Sequence, residues 1–261
     1  MVNIIMSGCN GRMGQVISGL VSEDPSMQII AGVDITGERK NDYPVVTSFA
    51  ELKVDQPAVI IDFSSPLAFD GMMAYVEATG TPVVVCTTGL SDEQLAKLDE
   101  VSKKAAVLRS ANMSLGINLL MKLVKDAARI LAPAGFDIEI EERHHNKKKD
   151  APSGTALALA DSINEAMDQR YTYVYDRSTR YEQRGKEELG ILALRGGSIV
   201  GEHSVVYAGM DEVIELKHSA TSRAIFAKGA ISAAAFLADK KAGFYGMDDV
   251  IAQMTSAAAQ A

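Results

Sequence analysis

With 261 residues, 47% of them apolar, the chain can bury two hydrophobic cores, and none of its apolar runs is long enough to span a bilayer. A formal net charge of −8 argues against nucleic-acid partners. The two cysteines, Cys9 and Cys86, have no C-x-x-C or zinc spacing, which excludes a disulfide framework. These properties suit a cytoplasmic enzyme that acts on a small molecule.

Residues 2–6 are a short apolar run of buried-strand type. The loop Gly8, Cys9, Asn10, Gly11, Arg12, Met13, Gly14 follows, and Met13, Val16, Ile17, Leu20 and Val21 then recur at helical spacing. G-x-x-G-x-x-G lies one residue away from the usual dinucleotide fingerprint. A strand before it, a helix after it and Asp34 about 20 residues beyond Gly14 make it an NADH or NADPH site. The glycines let the backbone approach a pyrophosphate at the helix N-terminus, and Asp34 accepts from the adenosine ribose hydroxyls.

The next strands are residues 28–34, 58–63, 82–86 and 106–110. Between them lie a polar loop through Gly37, Glu38, Arg39 and Lys40, a helix begun by Ser65 and Pro66, and a helix opened by the capping box Ser91 to Gln94. Such alternation predicts a Rossmann-type, doubly wound parallel sheet with ligands at the carboxyl ends of its strands. Cys86, Thr87 and Thr88, and Ser110, Ala111, Asn112 and Met113, are then placed to hold the nicotinamide ribose and carboxamide. Ordinary βα turns carry similar residues. In such a sheet the first strand, 2–6, and the fourth, 82–86, are expected to be neighbours, so Cys9 and Cys86 should both lie near the cofactor cleft.

From Ser114 the pattern changes. Leu119, Leu120, Leu123, Val124 and Ala127 describe a long helix, and residues 136–143 alternate as a strand. A helix from Pro152 buries Ala156, Ala160, Ile163 and Met167, and strands follow at 189–195, 202–208 and 212–218. This predicts an α+β domain on a small, mostly antiparallel sheet, with Val205, Tyr207, Ile214 and Leu216 exposed as an interface patch. A final helix, 223–240, returns to the first domain. The expected domains are thus 1–114 plus 223–261 for dinucleotide binding and 115–222 for substrate binding and oligomerisation; the Ala-rich tail, 256–261, is expected to fray.

The chemistry concentrates in residues 142–155, with His144 and His145 side by side, Lys147 to Lys149 after them, and Pro152, Ser153, Gly154 and Thr155 opening a helix. Proline is pre-organised for a first helical turn, and the N–H groups of Ser153, Gly154 and Thr155 would face an anion. A lysine run can equally be a solvated loop. Adjacent histidines on a strand point to opposite faces, and no further ligands stand at metal spacing, so a metal site is disfavoured. A titratable donor, a fixed cation and amide donors together suit a dicarboxylate that must be protonated.

In this order, Gly8-x-x-Gly11-Arg12-Met13-Gly14, Asp62-Phe63-Ser64, Thr87-Thr88-Gly89, residues 111–118, His144-His145 through Pro152-Ser153-Gly154-Thr155, Arg195-Gly196-Gly197, Gly201-Glu202-His203 and Ser222-Arg223 resemble the dihydrodipicolinate reductase family, also called 4-hydroxy-tetrahydrodipicolinate reductases. The resemblance spans nearly the whole chain. It implies a step of lysine biosynthesis by the diaminopimelate route, in which hydride from NADH or NADPH reaches C4 of a cyclic dicarboxylate, water leaves that carbon and the remaining enamine gains a proton. It further implies His144 as proton donor and acceptor, Lys148 as a second donor or electrostatic partner, His145 as a substrate contact, and Gly154 and Thr155 as the grip on a carboxylate. Gly8, Gly11, Arg12, Met13, Asp34, Thr87, Thr88 and Met113 match cofactor positions, and relatives form homotetramers through the second domain. Two positions depart from the pattern: Ile35 stands where many relatives have arginine, and Cys86 where a glycine is usual. Another NAD-dependent enzyme of amino-acid metabolism, or a non-catalytic nicotinamide sensor, would share the glycine loop without needing the His144 to Thr155 block.

Overall fold

The computed structural model describes residues 1–258 and divides into two units, Met1–Ser114 with Ala224–Ala261, and Leu115–Arg223. In the first, seven parallel strands are ordered β12-β6-β5-β4-β1-β2-β3: β1 (Val2–Ser7), β2 (Met27–Val33), β3 (Val45–Val46), β4 (Val59–Asp62), β5 (Val83–Val85), β6 (Ala106–Arg109) and β12 (Gly243–Tyr245). The chain runs outward from β1 to β3, then crosses back to β4, so the order reverses between β1 and β4. Such a switch point opens a crevice at the carboxyl ends of the strands. β1 and β4 are buried on both faces, as parallel strands between two helix layers require. β3 and β12 are unannounced in the sequence because two or three residues are too few for a period. The strand beside β1 is β4, not the one that precedes Cys86.

The helices of this unit are α1 (Arg12–Ser22), α2 (Phe69–Thr79), α3 (Asp92–Ser102), α6 (Ala224–Leu237) and α7 (Met247–Ala258). The capping box forms as expected: Ser91 Oγ accepts from Gln94 N at 3.2 Å and Gln94 Oε1 accepts from Ser91 N at 3.1 Å. Ser65 and Pro66 instead lead into a 3-10 turn, Pro66–Ala68, before α2, and Ser65 makes no side-chain cap. Of the tail expected to fray, 256–258 belong to α7 and 259–261 lie outside the described residues.

The second unit contains α4 (Leu115–Leu131), β7 (Asp137–His144), α5 (Gly154–Ala166), β8 (Thr172–Val174), β9 (Glu188–Arg195), β10 (Gly201–Ala208) and β11 (Val213–Ala220), with sheet order β11-β10-β7-β9-β8. The α+β arrangement is present, and its sheet is mixed. β11-β10 and β10-β7 are antiparallel, whereas β7-β9 and β9-β8 are parallel because the crossover through α5 returns the chain in its original direction.

Two expected surfaces are corrected. Val205 and Tyr207 are fully buried in the core with Leu120, Val124, Leu159 and Ile163, and Tyr207 Oη donates to Val124 O at 2.7 Å. Alternation separates two faces of β10 but does not say which meets the helices; the bulkier set goes inside. In α4 the buried stripe is Ile117, Leu120, Val124 and Ala128, leaving Leu119 and Leu123 each 44% exposed. Among the described residues, no helix is long and apolar enough to cross a membrane.

Candidate active site

The glycine loop joins β1 to α1. Gly8 has φ +74°, a left-handed conformation that favours glycine, and a Cβ there would lie 2.6 Å from Phe63 O. Gly14 packs its Cα against the carbonyls of Gly8 and Cys9, leaving no room for a methyl group. The buried stripe of α1 is therefore Gly14, Ile17, Ser18 and Val21 rather than the purely apolar set, because close approach to the sheet selects small residues. Gly11 is the N-cap and offers no side chain, so the first amides of α1 are not capped by it. Such a bare helix start beside a glycine cradle fits a pyrophosphate.

Asp34 follows β2, and its carboxylate accepts from Asn10 N at 3.0 Å, Thr36 N at 3.1 Å and Thr36 Oγ1 at 3.0 Å. Asn10 also donates from Nδ2 to Thr36 Oγ1 at 2.8 Å and Glu38 O at 2.9 Å, stitching the loop after β2 onto the glycine loop. Its Oδ1 is buried without a partner. Both cations of this loop are occupied locally. Arg39 donates to Asn41 O at 3.2 Å and Asp42 O at 2.8 Å, and Lys40 pairs with Glu38 at 3.5 Å. Arg12 is exposed, and Met13 is half-buried.

The Cys9 side chain points into the core. It is fully buried, its Sγ lies against the Cα of Gly32, and burial with the nearby Asp34 charge pushes the thiol up to about 11. Burial also holds the half-buried Cys86 thiol well above its ordinary range, which disfavours the thiolate form of both cysteines.

Thr87 is tied to the end of β4. Its hydroxyl donates to Asp62 Oδ2 at 2.7 Å, and Asp62, 1% exposed, also accepts from Ser64 N at 3.2 Å. Asp62 thus braces the loops after β4 and β5, and Thr87 spends its donor on that brace while Thr88 stays exposed. The signal was an acid closing an otherwise apolar strand. In the third loop Asn112 Oδ1 accepts from Ser114 N at 2.9 Å, and Met113 is buried with its carbonyl packed on Gly229 of α6. Ser110 is half-buried and Ala111 exposed.

In the second unit, the two-residue period of β7 carries its inward face from Ile138 and Ile140 to Glu142 and His144, which are 1% and 8% exposed. Glu142 Oε2 lies 2.6 Å from His144 Nδ1. An ionised carboxylate only accepts, so Nδ1 carries the hydrogen and Nε2 is the nitrogen left to exchange a proton. Nε2 faces the Cα of Gly201, where a Cβ would come within 3.0 Å. Burial opposes ionisation of Glu142, but hydrogen bonds from Arg195, His144 and Ser153 N–H outweigh it and hold the carboxyl below its ordinary range. Arg195 reaches across from β9 with Nη1 at 2.8 Å and Nη2 at 2.7 Å, a bidentate clamp.

The helix start is shifted from the expected one. Ser153 is the N-cap of α5, with Oγ accepting from Ala156 N at 3.2 Å, and Pro152 precedes the cap rather than opening the helix. Ser153 N–H donates to Glu142 Oε1 at 2.9 Å, so a protein carboxylate already takes one of the three amides expected for an anion. Asp150 lies 2.9 Å from Lys148 Nζ, and the nearby Lys148 and Gly154 N–H hold its carboxyl below its ordinary range, which places Lys148, Asp150 and the first turn of α5 together. Thr155 lies in that turn. His145 follows the strand and is half-buried with Nδ1 unpartnered. Lys147 and Lys149 are solvated.

His203 of β10 enters the sequence reading only as part of a motif, yet it lies beneath this centre. Its Nε2 is 3.0 Å from Ser153 Oγ and its ring meets His144 edge-on with centroids 5.1 Å apart. Burial, then the neighbouring His144, lowers its pKa to about 4. The unfolded value is higher, so this group contributes stability that is fully present above about pH 6.5 and lost as pH falls towards 4. Urea unfolding free energy should drop by about 2 kcal/mol more in the parent than in His203→Gln between pH 7 and pH 5. Equal drops would show that His203 is not the acid-sensitive group.

Residues 2–113 match the family described as "Dihydrodipicolinate reductase, N-terminus" and residues 116–251 match "Dihydrodipicolinate reductase, C-terminus". A 4-hydroxy-tetrahydrodipicolinate reductase of Caldanaerobacter subterraneus subsp. tengcongensis is 49% identical over 255 residues, covering 96% of this chain and 98% of the relative. That of Aquifex aeolicus is 39% identical over 263 residues, with the same coverage. The solved structure of a dipicolinate-bound dihydrodipicolinate reductase from Paenisporosarcina sp. TG-14 shares the fold, with a TM-score of 0.78 at 23% identity over 95% of this chain and 99% of that one. A myo-inositol dehydrogenase from Corynebacterium glutamicum, at a TM-score of 0.54 and 17% identity over 99% of this chain and 95% of that one, shares the general fold alone. With both halves matched and near-complete relatives at up to 49% identity, the chain belongs to the dihydrodipicolinate reductase family.

Proposed function

We propose that the chain reduces 4-hydroxy-tetrahydrodipicolinate to tetrahydrodipicolinate in the diaminopimelate route to lysine, with NADH or NADPH as reductant. The observation that carries this is His144, held at Nδ1 by the buried Glu142, on the strand that leads into Lys148 and the first turn of α5. The resemblance of that block to the family and the dipicolinate-bound neighbour both support a dicarboxylate substrate.

The bound nicotinamide supplies a hydride for C4 of the ring. The protein's part begins with binding: Gly154 N–H and Thr155, with Lys148 for charge and His145 beside them, hold a substrate carboxylate at the positive end of α5. Lys148 and Gly154 must exchange Asp150 for that carboxylate. The enamine left after reduction and loss of water takes its proton from His144 Nε2, while Nδ1 stays fixed on Glu142. In the other unit, Gly8, Cys9, Asn10, Gly11, Arg12 and Met13 hold the pyrophosphate through backbone amides and Asp34 holds the adenosine ribose, with Cys86, Thr87, Thr88, Ser110, Ala111, Asn112 and Met113 lining the nicotinamide side. These roles place dinucleotide binding in residues 1–114 plus 223–261, and substrate binding and assembly in 115–222. NADH oxidation with freshly made hydroxy-tetrahydrodipicolinate is the test: dependence of turnover on that substrate supports the reading, and none with either nucleotide overturns it.

Cofactor choice follows from the loop after β2. Asp34 accepts from a free 2′-hydroxyl and repels the roughly two negative charges of a 2′-phosphate. Ile35 is 88% exposed and offers no charge, and Arg39 and Lys40 are already engaged. NADH should therefore be used at least as well as NADPH, and Asp34→Ala should weaken NADH while leaving NADPH unchanged or improved. A kcat/KM for NADPH more than about tenfold above that for NADH would mean that Arg39 or Lys40 releases its partners and binds the phosphate.

A homotetramer built on the second unit, working in the cytoplasm, completes the proposal. Support comes from the sheet face away from α4 and α5, where Leu192 and Leu194 of β9 are 44% and 50% exposed and pair with Glu141 and Arg143 of β7. Two free cysteines suit a reducing compartment. Light scattering at micromolar concentration should give four times the chain mass; a monomer there removes the assembly.

A further inference from the structure

All four histidines of the chain lie in the second unit. Cross-strand register sets Glu142 of β7 opposite His203 of β10, and His203 opposite His218 of β11, so an acid and two rings form one row across the sheet. Glu142 is the carboxylate of that row. It is 1% exposed, and its two oxygens receive four donors: His144 Nδ1, Ser153 N, and both terminal nitrogens of Arg195. A carboxylate has about four lone-pair sites, so its capacity is filled by protein. Each donor belongs to a different working part. His144 is the proton donor, Ser153 begins the anion-binding helix, and Arg195 also ties down the loop by donating to Asp150 O at 2.7 Å.

We propose that Glu142, clamped by Arg195, is the positioning residue of the proton transfer: it fixes His144 by Nδ1 so that Nε2 is presented, and holds donor and anion-binding turn as one rigid piece. This rests on His144 being the donor. The Glu142–Arg195 pair also sets the charge that the ring experiences. Glu142 on its own strand brings a negative charge to the ring. Arg195 on β9 opposes it. His203, edge-on from β10, stays neutral above about pH 4. His218 stands one strand further away, and Lys148 and Asp150 on the following loop pair with each other. Removing the acid and removing the base must therefore move the titration of His144 in opposite directions, which a merely structural pair would not do.

The experiment compares Glu142→Gln and Arg195→Met in the full chain. Glu142→Gln should reduce kcat at least tenfold and move the alkaline limb of the kcat profile down by about one pH unit, since a donor must be protonated. Arg195→Met should move that limb up by about half a unit or more. NADH dissociation constants should stay within twofold for both, as a fold control. A kcat for Glu142→Gln within twofold of the parent, or limbs that stay put or shift the same way, overturns the proposal. If either single variant loses NADH binding, Glu142→Gln/Arg195→Met, which leaves no unpaired buried charge, decides instead: a tenfold loss of kcat supports the positioning role and parental kcat overturns it. The His144 ring can also be titrated by NMR without turnover, with the same two directions expected. A parent inactive on hydroxy-tetrahydrodipicolinate would then sink the reaction assigned above while the ring shifts still judge Glu142.

Discussion

His144→Ala should lower kcat by about 100-fold or more, and Lys148→Ala by a similar factor, with NADH affinity little changed. The two act differently. His144 Nε2 delivers the proton, and alanine leaves Glu142 and Arg195 facing a void with no donor in reach. Lys148 supplies the fixed positive charge beside the first turn of α5; without it the carboxylate of Asp150 stays next to Gly154 with nothing to draw in a substrate anion. Lys148→Ala should thus raise KM for the dicarboxylate as well as lower kcat, whereas His144→Ala should act mainly on kcat. Stopped-flow turnover and nucleotide fluorescence titration separate these effects. Parental turnover in either variant would remove that residue from the chemistry.

Much of the first unit was legible because its rules are local. A glycine triplet between an apolar run and a helical period needs no distant partner to be recognised, and neither does Ser91 three residues before Gln94. What failed depends on which face meets what. Val205 and Tyr207 alternate with Ser204 and Val206, and sequence alone does not tell which pair meets α4 and α5. Leu119 and Leu123 fit a helical stripe as well as Leu120 and Val124 do, and only the sheet beneath α4 selects one.

In the site, His144, Lys148, Gly154 and Thr155 stood in one short segment and could be read together. Arg195 and His203 arrive from β9 and β10, at least 40 residues beyond that segment, and enter only when the strands pair. Glu142 was closer: the period that buries Ile138 and Ile140 also buries the residues two and four further on. Hydropathy stops counting at the first polar side chain, although the pleat does not. The bracing role of Asp62 was hidden for the same reason, as an acid at the end of an apolar strand whose partner, Thr87, lies in the loop after the next one.

Gly14→Ala should abolish measurable NADH binding, weakening it by about 100-fold or more, and should lower the stability of the first unit by about 2–4 kcal/mol. Gly14 sits where α1 meets the sheet. A Cβ there would fall 2.6 Å from Cys9 O and overlap Gly8 O as well, and both are backbone atoms that no side-chain rotation can move aside. Making room means pushing α1 away from β1, which carries the helix amides from the pyrophosphate position and pulls at the hydrogen bond between the Ser18 and Tyr43 hydroxyls, 2.8 Å long. Two companion variants separate this from a general intolerance of the helix. Gly11→Ala meets only Gly8 O, at 3.2 Å, and should weaken NADH by less than Gly14→Ala does. A methyl group on Gly19 would have nothing within 4 Å of it, and Gly19→Ala in the middle of α1 should leave NADH binding intact and stabilise by about 0.5–1 kcal/mol. Nucleotide titration and urea unfolding of the three variants give the ranking, and Gly14→Ala binding NADH within threefold of the parent would show that the cofactor does not use this cradle.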